Sequence, residues 1–115
     1  MFRPVDSASF GDHVSRSKGM VLVNFWSPWS EACRNMSSLM GNVQDLLDEQ
    51  DAIVQVNWDQ QRHLVRDLQV LGVPTLLIFI CGKEVARYYG TMNEEDLRKC
   101  VVEAKKNEDS KNVPP

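Results

Sequence analysis

No apolar run in this 115-residue chain approaches the length of a membrane span. The opening Met1-Phe2-Arg3-Pro4-Val5-Asp6 lacks the apolar stretch of a signal peptide. Both absences lead to the expectation of a soluble, cytosolic protein. Charge of one sign is also scarce. Thirteen Lys and Arg stand against sixteen Asp and Glu, a net charge of -3, which argues against nucleic acid or an anionic membrane as partner. Cysteine is sparse and odd in number, at Cys33, Cys81 and Cys100, which excludes the framework of a secreted disulfide domain. No two of them share a C-x(2–4)-C spacing, and His13 and His63 sit among polar residues, so a zinc site is not expected. There is no internal repeat and no linker.

What is present is the composition of an ordinary globular protein, with 43% hydrophobic and 25% charged residues. The length suits one domain, expected over residues 1–106 and acting as a monomer. Residues 107–115 are polar, finish Pro114-Pro115, and are expected to form a flexible tail.

The pattern of elements is legible. A first helix begins near Ser7 or Ser9, with Gly19 placed to close it. Met20 to Trp26 is continuous, β-branched and apolar except for Asn24, which predicts a strand buried on both faces. Ser27-Pro28-Trp29 breaks it. Ser30 is placed to cap a second helix, with Glu31 in the first turn and Met36, Leu39, Met40, Val43 and Leu47 at helical spacing up to Asp51. Ala52 to Trp58 reads as a second buried strand, interrupted by Gln55, and Arg62 to Leu68 as a short helix. Thr75–Ile80, the turn Cys81-Gly82-Lys83 and Glu84–Tyr89 form an antiparallel hairpin, and Asn93 caps a last helix with Leu97, Cys100, Val101 and Ala104 along one stripe. Strands alternating with helices imply an α/β fold with a parallel core sheet extended by an antiparallel edge, with a short strand and helix ahead of it.

The stretch from Val21 through Asn24, Trp26 and Trp29 to Ser30-Glu31-Ala32-Cys33 resembles the thioredoxin signature, a buried strand and tryptophan followed by W-C-G-P-C opening a helix. Gly72-Val73-Pro74-Thr75 is similar to that family's G-I-P-T with its cis-proline, and Asn57-Trp58-Asp59-Gln60 to its N-I-D-Q. Gly90 falls where the family closes its substrate groove. The similarity runs from about Val5 to Ala104. It implies a thioredoxin fold, a mixed sheet of four or five strands flanked by helices, needing no cofactor or metal. Trp26-Ser27-Pro28-Trp29-Ser30 also fits the W-S-x-W-S of cytokine receptors, but those are disulfide-bearing β-sandwiches, unlike this pattern.

The family's chemistry needs two thiols. A thiolate at a helix N-terminus attacks a disulfide, and the second thiol, one turn on, resolves the mixed disulfide. On this resemblance Ser30 occupies the nucleophile position, Cys33 the resolving cysteine and Asn24 the buried acid that exchanges a proton. Ser30 has no disulfide chemistry and is expected to cap the helix. Asn24 keeps hydrogen-bonding capacity but cannot shuttle a proton near neutral pH. Gln55 matches the family's lysine and Ser38 its kinking proline. Cys33 is either an inert buried residue or a residual thiol. Two functional readings stay open. In one, the chain is a divergent thioredoxin-like protein that keeps a groove of Trp29, Trp58, Val73, Pro74, Tyr89 and Gly90 for an extended peptide or protein segment, without dithiol turnover. In the other, it is an active protein-disulfide reductase whose cysteine 30 was replaced by serine. A peroxidatic role for Cys33, by likeness to Thr-x-x-Cys proteins, is disfavoured by the short chain and the lack of an activating arginine.

Overall fold

The computed structural model describes residues 2–111. Five strands form one mixed sheet in the order β1-β3-β2-β4-β5. They are β1 (Phe2–Pro4), β2 (Met20–Trp26), β3 (Ala52–Asn57), β4 (Thr75–Ile80) and β5 (Lys83–Tyr89). β1 and β2 run parallel to β3, whereas β4 is antiparallel to β2 and β5 antiparallel to β4. The helices are α1 (Ser7–Phe10), α2 (Glu31–Asn42), α3 (Arg62–Asp67) and α4 (Glu94–Lys111). The architecture is the α/β arrangement that the alternation of elements implied, and its mixed five-stranded sheet flanked by helices is that of the thioredoxin fold which the resemblance implied.

The apolar run of β2 is buried on both faces because successive side chains point to opposite sides of the sheet. Val21, Val23 and Phe25 join Phe10, Val14, Leu64, Val65, Leu77 and Phe79 on one side. Met20 and Leu22 join Met36, Met40, Ile53, Leu76, Ile78, Leu97 and Val101 under α2 and α4 on the other. Asn24 continues the second set, so its amide points into the layer beneath α2.

Several boundaries differ from expectation. α1 is capped by Asp6, which accepts from the Ser9 N–H, and passes into a wider helical turn over Gly11–Ser15. Gly19 therefore does not close the helix. It is needed because a Cβ there would lie 2.1 Å from the Gln50 carbonyl oxygen. α2 stops at Asn42, and a 3₁₀ turn over Gln44–Leu46 follows, with the remaining expected residues Val43 and Leu47 flanking it. β3 ends at Asn57, which leaves Trp58 in the following turn. α4 runs through Lys111, so residues 107–111 of the expected tail continue the last helix. Residues 112–115 of that tail lie outside the described residues.

Candidate functional site

β2 and β3 are parallel, so both end at the same edge of the sheet. β4 starts there and β5 returns there. The loops after β2 and β3, the turn before β4 and the end of β5 thus meet at one pole of the molecule. The backbone holds them together: the Trp58 N–H donates to the Trp26 carbonyl at 2.8 Å, and the Gly90 N–H to the Pro74 carbonyl at 2.9 Å.

Ser30 is the N-cap of α2. Its backbone is extended, at φ -102° and ψ 117°, and its Oγ accepts the Cys33 N–H at 3.2 Å. This satisfies one of the free N–H groups at the helix start. Cys33, one turn on, is only 1% exposed. Cys81 is exposed and Cys100 half-buried, and all three cysteines are free thiols.

Asn24 departs from expectation. It is fully buried, and neither its Oδ1 nor its Nδ2 has a hydrogen-bond partner among the described residues. Gln55 faces it across the β2–β3 register but turns its amide to Ser37 Oγ, at 3.5 Å. Asn24 and Gln55 do not hydrogen-bond to each other. The register places them side by side, yet a hydrogen bond also needs aligned dipoles. Ser38, at the position of the kinking proline, donates instead to the Arg34 carbonyl.

Trp29 is 67% exposed. Its indole N–H donates to Asp59 Oδ2 at 3.0 Å, and the same oxygen accepts from Ser27 Oγ at 2.6 Å. Asp59 thus ties the loop after β3 to the loop carrying Trp29. The motif containing Asp59 was legible in the sequence; its contact with Trp29 was not.

Val73, Pro74, Tyr89 and Gly90 come together around a pocket of about 230 Å³ whose other walls are Leu71 and Gly72. The Val73–Pro74 bond is cis. Trp29 is not among the lining residues. Trp58 also stands apart: it is half-buried on the α1/α3 side of the core, with the Arg62 guanidinium 4.5 Å from its ring centroid. The residue missed by sequence reasoning is Leu71, 83% exposed beside Tyr89, itself 50% exposed. An apolar residue between Val70 and a glycine, just ahead of the proline, was the available signal.

Tyr89 is held from below. Arg87 donates to its hydroxyl at 3.1 Å and to both Glu84 carboxylate oxygens at 2.7 Å. The hydrogen bonds to Glu84, then Tyr89, raise the guanidinium pKa further above its already high ordinary value. Among the described residues no group of three His, Cys, Asp or Glu side chains is arranged to hold a metal ion, and no helix is long and apolar enough to cross a membrane.

The family model described as thioredoxin matches residues 2–103. A thioredoxin of Griffithsia pacifica is 33% identical over 88 residues, covering 76% of this chain and 81% of that protein. Thioredoxin 1 of Synechococcus elongatus is 30% identical over 93 residues, covering 81% of this chain and 87% of that protein. A thioredoxin of Pyropia yezoensis is 29% identical with the same coverage.

Proposed function

The chain belongs to the thioredoxin family, and from that premise we propose that it is a divergent member of these thiol–disulfide oxidoreductases. It holds a peptide or protein segment in its groove and does not turn over disulfides while serine stands at position 30. Turnover requires an exposed thiolate to attack a disulfide sulfur and a second thiol to displace the product. One observation carries the reading: the Ser30 hydroxyl caps α2 while Cys33, the thiol one turn behind it, is 1% exposed. Its sulfur has no open approach, and Asn24 beneath the helix is a neutral amide that cannot accept the proton a reacting thiol must lose.

The groove supplies the remaining function. Trp29, Val73, Pro74, Tyr89 and Gly90 lie at one pole, and the exposed aromatics offer large contact areas at low conformational cost. An extended segment can pair with backbone there and rest side chains on them. Trp58 contributes from the side, through the turn that positions Asp59. Three free thiols suit a reducing compartment, so the setting carried by this reading is the cytosol.

The test is insulin reduction driven by dithiothreitol. No acceleration above the uncatalysed rate is expected, and turnover at the rate of an ordinary thioredoxin would overturn the reading. The second reading is a protein-disulfide reductase serving cell redox homeostasis, its cysteine 30 replaced. It is favoured by the intact geometry of position 30, still at the start of a twelve-residue helix with its side chain toward the Cys33 N–H. The genomic codon for position 30 separates the two.

A further inference from the structure

We propose that the groove does not end at Pro74 and Tyr89 but continues over Leu71 into a second pocket. That pocket takes a large apolar side chain of the bound segment, and Arg66 receives a carboxylate beside it. The proposal rests on the peptide-binding reading and adds the class of segment bound: an apolar residue next to an acidic one.

Leu71 and Tyr89 each line two adjoining pockets. The first is the space around Pro74. The second, about 720 Å³, lies between the end of α3 and the edge strand β5. Its floor is Val65 and Val70, both buried, with Leu71 and Tyr89 as the shared rim. An exposed leucine next to an exposed tyrosine above a valine floor forms a contiguous apolar surface, the kind that marks an interaction site.

The far wall is rigid. Arg87 has five N–H donors, and all are used: two on Glu84, one each on the Leu68 and Gln69 carbonyls, and one on the Tyr89 hydroxyl. These bonds clip the end of α3 to β5, where Gln69 takes a left-handed turn at φ 56°. A wall held this way needs little ordering on binding. It also means that Arg87, already neutralised by Glu84, is not the anion receptor.

Arg66 is. It lines the same pocket, is exposed, and its guanidinium has no partner among the described residues. Neighbouring Asp67 instead faces His63, 3.6 Å away. The chain as a whole carries a net charge of -3, so attraction for an acidic group must come from this local cation and not from the overall field.

The experiment selects short random peptides displayed on phage against the full chain, with reducing agent present so that Cys33 cannot trap them covalently. Enriched sequences should share a large apolar residue with Asp or Glu one or two positions away. For one enriched peptide, fluorescence anisotropy should show Leu71→Asp weakening binding roughly 30-fold or more. Arg66→Glu should weaken it on the order of fivefold. Reselection against Arg66→Glu should exchange the acidic flank for Lys or Arg while keeping the apolar residue, a result that a damaged fold cannot produce. Peptides that need Trp29, as shown by loss with Trp29→Ala, yet bind Leu71→Asp and Arg66→Glu like the unaltered protein would overturn the second pocket and leave the groove standing. No enrichment above a blank surface would overturn both.

Discussion

At the scale of single residues, position 30 separates capping from catalysis. A side chain with one oxygen can accept the Cys33 N–H and stabilise the helix by about 1 kcal/mol. A sulfur in its place would meet the same N–H groups and the positive end of the helix dipole, which favour a thiolate. Ser30→Cys is therefore expected to form a disulfide with Cys33 on oxidation, read by loss of two free thiols, because i and i+3 are neighbours on a helix. The variant should reduce insulin slowly, since Asn24 cannot take up and return a proton near neutral pH, and adding Asn24→Asp should raise the rate. If Ser30→Cys alone equals an ordinary thioredoxin, Asn24 is not limiting. Asn24 itself is buried with both amide atoms unpartnered among the described residues, an arrangement that costs stability.

At the scale of elements, the last helix is fastened by polar clasps in addition to its apolar stripe. Arg98 pairs with Asp45 and the Asn42 carbonyl, Glu94 accepts from Asn42, and Lys105 reaches Asp48 and Asp51. Asp51 is the centre of the last clasp. Its side chain is fully buried and also accepts the Met20 N–H at 2.8 Å and the Asp48 N–H at 3.0 Å. It thereby joins the start of β2, the connection ahead of β3 and α4. Removing it leaves the Met20 and Asp48 N–H donors without their acceptor and takes one carboxylate from Lys105, which keeps Asp48, so Asp51→Ala should cost about 3 kcal/mol in urea unfolding. A loss under about 0.5 kcal/mol, as for an ordinary surface change, would show that water replaces the carboxylate without penalty.

At the scale of the whole molecule, stability has two pH limits with different causes. The carboxylates of Asp45 and Asp48 are held below the usual range by hydrogen bonds from Arg98 and Lys105, and that of Asp6 by the Ser9 N–H. Depressed acids bind fewer protons folded than unfolded. Their contribution is present above about pH 4 and is lost as pH falls through their lower folded values. Asp45→Asn should make the acid-side fall of stability shallower. At the other limit, burial and then a hydrogen bond with Cys100 push the Tyr88 phenol from 10.0 up to about 12. The folded state then keeps a proton that the unfolded chain releases. This contribution is intact below pH 10 and declines as pH rises toward 12. Tyr88→Phe should flatten stability over that interval, measured by urea midpoints; an unchanged slope would show that Tyr88 is not responsible.

Much of this was written in local pattern. The continuous apolar runs of β2 and β4, the break at Ser27-Pro28-Trp29 and the capping chemistry of Ser30 and Asn93 depend only on neighbours in sequence, and they placed the elements and the pole where the site forms. The Asp96 N–H donates to Asn93 Oδ1 as such a cap requires. Boundaries set by distant contacts were not legible in this way. Gly19 answers to Gln50, thirty-one residues away, and not to the helix before it. What a side chain does at the site was also decided by the third dimension. Trp58 and Tyr89 both follow or end a strand, yet one packs on the core beneath Arg62 and the other stands half exposed on Arg87. Leu71 reads as one more apolar residue until the turn after α3 points it to solvent beside Tyr89. Local sequence determines which backbone forms and where it breaks, because those terms act over a few residues. Which faces become buried and which remain as a groove is decided only when strands far apart in the chain are brought side by side.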